Sequence, residues 1–566
     1  MAKIFKNKCL LTLIPLALIA LLAAALLLPA SAQADTKYSA DASASALSSS
    51  GTTGTQGSSS VNYDADDAAY FEFSDGGISV DQSDSSSYKI DGTELTIKSS
   101  GTYIVSGSCS DGSIKIKSGS TGVTLVLDGL SLSSGSTAAI TCGKSSGVTI
   151  VAAESTTNTL SDGAQNNSDE YPENQDAEDA VIKCKDGTQT VICGSGTLNI
   201  NANGKNGIRS GSTTDEDGEA SLTLRELTLN ISADVNDAIN AGQLLNIESG
   251  TLNISAADDA LHCDYVLNVG SIDAGSDGPV INISACYEGL EAAELNIYSG
   301  NISIVSSDDC LNAANAQLQG YTFSMNIYDG SITAYSSSGD GFDSNGSMSI
   351  SGGTVSVWTA NSADNQPLDA DGEISITGGT VLAAGGSSGM GMNMNAEQPC
   401  LSFGSSAGMG GGMGFGGQFG GANAPSGQPD EAGVSGGRQD AANTAVGWSG
   451  TMGGMYGSVL LSEGDEFSIR DGDGNIIYSG EAVCGASYLF FSSDELGSDS
   501  SCSLYSGSTE AASADAQTGT VSGGMSAMGG QPWSMGGTGG MAAPPDGMPG
   551  GMDGTGGQPG VPGQRP

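Results

Sequence analysis

Basic side chains and aromatic rings are scarce in this chain. Of its 566 residues, 17 are Lys or Arg against 64 Asp or Glu, one is His, 3 are Trp and 11 are Phe. A formal net charge of −47 excludes nucleic acid as a partner, because gripping a phosphate backbone needs a basic surface. It disfavours anionic lipid for the same reason. Beyond the N-terminal segment no apolar run is long enough to span a bilayer. No CxxC pair and no Cys/His set marks a zinc site. The cysteines are irregularly spaced; bridges Cys184–Cys193 or Cys484–Cys502 are compatible with export, while Cys263, Cys286 and Cys310 read as small inward-facing residues.

Glycine is abundant instead, with 87 residues. Lys3, Lys6 and Lys8 precede an apolar run from Leu10 to Leu28, then Pro29 and Ala30-Ser31-Ala32. Residues 1–34 therefore read as a secretory signal, which becomes an N-terminal membrane anchor if uncleaved. A secreted or cell-surface location is expected. Residues 35–60 are a Ser/Gly linker, 385–455 a Gly/Met-rich insertion and 509–566 a Gly/Pro/Met-rich tail, none with the apolar content to build a core. Folded structure is expected over 61–384 and again over 456–508. In the latter, Asp471-Gly472-Asp473-Gly474-Asn475 has the start of a calcium loop, but its twelfth position is Ala482, so it reads as a hairpin turn.

The most informative pattern recurs seven times: a polar or acidic residue, usually a small one, a large apolar anchor, then another polar residue. The copies are Asn206-Gly207-Ile208-Arg209, Asp237-Ala238-Ile239-Asn240, Asp259-Ala260-Leu261-His262, Glu288-Gly289-Leu290-Glu291, Asp309-Cys310-Leu311-Asn312, Asp340-Gly341-Phe342-Asp343 and, loosely, Gln366-Pro367-Leu368-Asp369. Anchors are separated by 31, 22, 29, 21, 31 and 26 residues, the length of one solenoid coil. Between copies lie alternating runs such as Leu245-Asn246-Ile247 and Leu295-Asn296-Ile297, then a Gly, then a second run such as Thr251-Leu252-Asn253-Ile254. Period two means strands buried on one face. Short strands closed by glycine corners predict an all-β, right-handed parallel β-helix, since repeated parallel crossovers take that hand.

Stacking turns sequence positions into columns. The residues two before each anchor would lie about 4.8 Å apart on successive coils, where neighbouring carboxylates repel by roughly 3 kcal/mol at an effective dielectric near 20. Only Lys205, Arg209 and Arg225 are basic between 186 and 437, too few to compensate. Oxygen-binding cations are the expected remedy, and Ca²⁺ accepts six to eight such ligands in flexible geometry. The candidate ligands are Asp237, Asp258, Asp259, Asp264, Glu288, Glu291, Asp308, Asp309, Asp340 and Asp343.

Outward positions also follow from the alternation. Asn296 and Tyr298 flank inward Ile297, Asn326 and Tyr328 flank Ile327 one coil later, and Tyr335 and Trp358 share a column on the next sheet. Aligned rings beside amides suit an extended sugar chain, which offers apolar pyranose faces and hydroxyls. These six residues are the expected polysaccharide contacts.

Three segments carry a resemblance. Ile90 to Asp162, with Gly101-Thr102-Tyr103-Ile104-Val105-Ser106-Gly107 and Val123-Thr124-Leu125-Val126-Leu127-Asp128-Gly129-Leu130, is similar to the N-terminal part of a secreted carbohydrate-binding β-helix family of anaerobic Gram-positive bacteria. The Asp-Asp-Ala-Leu-type repeats match that family's middle, and Asp473-Gly474-Asn475-Ile476-Ile477, Phe491-Ser492-Ser493 and Ser503-Leu504-Tyr505-Ser506-Gly507 match its end. The resemblance implies a pectate-lyase-like fold, bound calcium and affinity for cellulose or acidic pectin-like glycans, without established catalysis. It supplies no residue-level binding motif.

The expectation is thus an extracellular protein that binds plant-type polysaccharide on a calcium-stabilised surface and is not an enzyme. Two alternatives stand beside it. A calcium-dependent polysaccharide lyase would need a basic proton acceptor, for which Lys205 or Arg209 is the candidate; a structural adhesin or spacer would need no site at all.

Overall fold

The computed structural model describes residues 63, 67–81, 86–271, 278–318, 320–361, 365–386, 394–404, 459–498 and 500–521. The expected signal and linker, residues 387–393 and 405–455 of the insertion, residues 456–458 of the C-terminal segment and residues 522–566 of the tail lie outside this set. Among the described residues there is no α-helix, and the chain winds as a parallel β-helix.

Each coil contributes three short strands to three parallel faces. One coil runs Ile239–Ala241, Leu244–Ile247 and Thr251–Ala256; each pairs in parallel with its counterpart on the coil before and on the coil after. Period-two alternation decides which side chains go inside. In Thr251–Ala256, Leu252 and Ile254 are buried while Asn253 and Ser255 are exposed. The inward residues stack on their own kind: Ile208, Ile239, Leu261, Leu290, Leu311 and Phe342 are successive register partners, and Leu368 bridges Phe342. All seven anchors are fully buried. The repeat read from the sequence is therefore one ladder of the core.

Outward amides form ladders too. Asn268, Asn296 and Asn326 each donate from Nδ2 to Oδ1 of the Asn one coil earlier, at 3.0 Å. A parallel series on another face links Asn199, Asn230, Asn253 and Asn282 at 2.8 to 2.9 Å. An amide carries both a donor and an acceptor, so a column of Asn satisfies itself in a way a column of carboxylates cannot.

Glycine corners make close coil contact where a side chain would collide. Gly194 has φ +115°, and a Cβ there would lie 2.2 Å from the carbonyl oxygen of Ala152.

The C-terminal end departs from the expected boundaries. Met394–Phe403, assigned to the insertion, is a strand pairing in parallel with Ile374–Ile376. Tyr488–Ser492 lies antiparallel to both Thr380–Gly385 and Met394–Phe403, ending the parallel stack. Thr509–Asp515 and Gln517–Val521, assigned to the tail, are also strands. Gln517–Val521 pairs with distant Met394–Phe403, whereas Thr509–Asp515 forms a hairpin with Ser501–Ser506. The hairpin reading holds at Asp471, whose carboxylate accepts the amides of Asp473 and Asn475 between two antiparallel strands. All ten described cysteines are free and buried, so neither Cys184–Cys193 nor Cys484–Cys502 is bridged.

Leu290→Ala would remove a rung enclosed by identical neighbours above and below. It is expected to cost about 2–5 kcal/mol in urea unfolding; a loss below about 1 kcal/mol would show that the ladder is not close-packed.

Candidate functional site

The acidic column forms on the outer side of the face that carries the anchors. Successive coils are held in register by backbone bonds: the amides of Ala238, Ala260 and Gly289 donate to the carbonyls of Asp259, Glu288 and Asp309. The side chains reach across the same step. Asp237 accepts the amide of Asp259 at 3.3 Å, Asp309 that of Asp340 at 2.7 Å, and Asp340 that of Gln366 at 2.5 Å. Each of these carboxylates thus caps the coil that follows it. This function explains why they turn inward along the stack instead of fanning into solvent.

Burial has an electrostatic cost. Desolvation pushes the carboxyls of Asp259 and Asp309 up to about 7 and that of Glu288 up to about 8. It raises Asp340 and Asp343 to about 6, and lifts Asp237, Asp258 and Asp369 above the ordinary carboxylate range. Neighbouring charges add to burial, such as Glu291 at Glu288 and Asp369 at Asp343.

His262 neutralises one segment. Its Nδ1 lies 3.2 Å from Asp259 Oδ2 and its Nε2 3.2 Å from Asp264 Oδ1, and Nδ1 also meets Glu291. Burial opposes charge on the ring, but the bonds to these three carboxylates outweigh it and hold the imidazole protonated, far above its usual range. The expectation that protein cations cannot serve the column is therefore corrected: Asp259, Asp264 and Glu291 gather around an imidazolium. The sequence contained the signal, since the only His of the chain occupies a repeat position.

Further acids converge in two sets, each with ligand atoms within 4.8 Å of one another: Asp237, Asp258 and Asp259, which His262 borders through Asp259, and Asp340, Asp343 and Asp369, which have no ion-pair partner among the described residues. Glu288 instead accepts from Asn312 Nδ2 at 3.0 Å, and Asp308 faces the Tyr287 hydroxyl. Beside the second set, two neutral oxygens are orphaned. Asn312 Oδ1 and Gln366 Oε1 are buried with no hydrogen-bond partner. Asn312 is the register partner of both Glu291 and Asp343, and Gln366 is capped by Asp340. Carboxylates mixed with unpartnered amide oxygens make a donor set that fits a hard cation. Asp369, Asn312 and Gln366 are not among the expected ligands, because a search for repeated acids two residues before the anchors passes over a seventh, looser copy and over neutral oxygens.

The expected aromatic residues fall in two different settings. Tyr298 and Tyr328 stack across adjacent coils, with ring centroids 5.0 Å apart and planes 5° from parallel, and Tyr328 is 43 % exposed. Asn296 and Asn326 lie beside them as rungs of the amide ladder, but Asn296 is corrected as a surface contact: it is buried, donating to Asn268 and Glu294 and accepting from Asn326. Trp358 is corrected: it is 1 % exposed, packed edge-on against Phe467 with centroids 5.9 Å apart and surrounded by Leu382, Leu401 and Phe491. The strands after 459 cover that outer face, which alternation alone cannot reveal. Its register partner Tyr335 is half-buried against the same cluster. Two surfaces were missed. Tyr265, Tyr321 and Phe323 form a chain of ring contacts at 6.1 and 5.8 Å, built from a strand and a separate loop. A depression of about 340 Å³ is lined by Thr159, Asn199, Asn201, Asn230, Ser232 and Asn253.

Lys205 and Arg209, the candidate proton acceptors, are both near carboxylates, Lys205 against Asp169 and Arg209 at 3.8 Å from Asp179.

A pH dependence follows from the raised carboxyls. Unfolded, these groups titrate near about 4. Folded, several titrate between about 6 and 8, so the fold favours their neutral forms. Their contribution to stability is complete below the unfolded value and is lost as pH rises through the folded one, about 1.4 kcal/mol for each tenfold difference in proton affinity between the two states. Metal-free protein is expected to melt at progressively higher temperature as pH falls from about 8 toward 5; a melting temperature that falls over that window would contradict the burial of the column.

No curated protein matches the chain. Among solved structures, it is similar to a chain described as the polysaccharide lyase-like protein from C. thermocellum in a gadolinium derivative. The two are 20 % identical, with 58 % of this chain and 96 % of that one covered at a TM-score of 0.32. Residues 91–389, more than half of the chain, match the model of a family described as carbohydrate-binding domain-containing protein. With its parallel coils, amide ladders and outward tyrosines, the chain belongs to this family of carbohydrate-binding domain-containing proteins.

Proposed function

We propose that the chain is an extracellular protein that binds plant-type polysaccharide, cellulose or acidic pectin-like glycan, on the outside of a calcium-stabilised β-helix, and binds it without cleaving it. The observation that carries the binding reading is the Tyr298–Tyr328 pair. Two parallel rings stacked one coil apart, one of them exposed beside half-buried Asn326, offer an extended glycan aromatic contact and a neighbouring amide. The N-terminal Lys-rich apolar segment supports export.

The acidic column supports the calcium part of the reading. Asp340, Asp343 and Asp369 with the orphaned oxygens of Asn312 and Gln366 would hold one ion, and Asp237, Asp258 and Asp259 another. Bound there, Ca²⁺ would supply the positive charge that the buried carboxylates lack. The coils would then tolerate ionised columns at neutral pH.

Replacing both Tyr298 and Tyr328 by Ala should reduce retention on insoluble cellulose or pectin roughly tenfold, each stacked ring being worth about 1 kcal/mol or less. Undiminished retention would remove these tyrosines from the binding surface, and unsaturated uronates accumulating in the ultraviolet would contradict binding without cleavage. Adding Ca²⁺ to EDTA-treated protein at neutral pH should raise the melting temperature. In Asp340→Asn/Asp343→Asn the rise should be smaller. A melt indifferent to both EDTA and Ca²⁺, with no metal by elemental analysis, would refute the ion.

A further inference from the structure

The outer face that ends in the acidic column begins with cations. Along its register, position by position, the outward residues are Lys115, Thr141, Lys183, Arg209, Asn240, His262, Glu291, Asn312 and Asp343. Lys183 and Arg209 are direct neighbours on successive coils, flanked by inward Ile182 and Ile208 and by buried Cys184 and Ser210. At a coil spacing of about 4.8 Å, two like charges are as unfavourable as the two carboxylates further along.

In a chain with nearly four acids for every base, this pair would be expected to recruit carboxylates, yet among the described residues Arg209 has only the long contact to Asp179 and Lys183 has none. Glu178 is paired with Lys185 at 2.7 Å. Asp179 accepts the amide of Ser168 at 2.7 Å and its hydroxyl at 2.9 Å, and stands 3.8 Å from Arg209. Among the described residues Lys183 has no ion-pair partner within 4.0 Å. Its burial, reinforced by the Arg209 charge, lowers its ammonium to about 8. The next coil toward the N-terminus adds an independent sign of an unfilled site. Thr141, the register partner of Lys183, is 6 % exposed, and its Oγ1 is buried with no hydrogen-bond partner. A buried hydroxyl left unpaired is unfavourable, as is an ammonium left partly desolvated and unmatched.

We propose that Thr141, Lys183 and Arg209 form a binding site for an oxyanion, the carboxylate or sulfate group of an acidic polysaccharide. One hydroxyl, one ammonium and one guanidinium on three consecutive coils supply charge-assisted donors along about 10 Å, the reach of one to two sugar residues. The planar guanidinium is suited to a bidentate carboxylate and the ammonium to a point contact. The site lies up the same face from the acidic sets, so an acidic chain laid along the coil axis would meet fixed cations here. This rests on the carbohydrate-binding reading and adds to it a site, away from the tyrosines, that would hold the ligand's acidic groups.

The test compares wild type with Lys183→Met/Arg209→Gln by affinity electrophoresis in polygalacturonate, dextran sulfate and a neutral soluble β-glucan, together with cellulose pull-down. Thermal melting controls for folding, and Lys185→Met, which alters a neighbouring ion pair only, serves as the second variant. The double variant is expected to lose about tenfold or more in affinity for one or both anionic polymers, with neutral binding and Lys185→Met unchanged. The polymer that loses more identifies the oxyanion. Equal affinity of wild type and double variant for both anionic polymers, or no binding of either by wild type, would overturn the site; cellulose retention that survives would leave the binding reading intact.

Discussion

A parallel β-helix has one strict rule: whatever occupies a position on one coil is placed about 4.8 Å from whatever occupies it on the next. For apolar residues this is favourable, because identical side chains nest, as in the ladder from Ile208 to Leu368. For Asn it is also favourable, because the amide is its own complement. For charges it is not. Much of the chemistry on the surface of this protein follows from how the fold handles columns that repel themselves.

Three solutions occur along one face. Near the middle an imidazolium is surrounded by Asp259, Asp264 and Glu291. Toward the C-terminal end the carboxyls of Asp309, Asp340 and Asp343 are raised and neutral oxygens stand unpartnered among them, the setting for the proposed ion. Toward the N-terminal end two cations share a step with an unpaired hydroxyl, the setting for the proposed oxyanion. The polarity of the face from basic to acidic would give the proposed acidic ligand a direction. The capping bonds from Asp237, Asp309 and Asp340 to the next coil explain why the acids occur at this position at all: they terminate backbone donors at a corner, and their charge is a consequence.

Much of this was legible in the sequence, because a solenoid repeats locally what it does globally. Strand alternation placed the inward anchors, and the spacing of the copies brought the acids into register. The failures at the C-terminal end share one cause. Trp358 lies at an outward position by alternation, but strands more than a hundred residues later pack over it. Gln517–Val521 carries little hydrophobic periodicity and is a strand through its pairing with Met394–Phe403, more than a hundred residues earlier. His262 and Lys183 were within reach, since each stands one residue past an inward residue of the same ladder, but counting charges hid them where tracing the column would not have.

The central claim is that the buried acids hold protons which a cation displaces. Calorimetric titration of the metal-free protein with Ca²⁺ at pH 7, repeated in buffers of different ionisation heat, reads that exchange directly. The account predicts saturable binding whose apparent enthalpy varies with the buffer, because protons leave as the ion enters. Binding with the same heat in every buffer, or no binding, would contradict it.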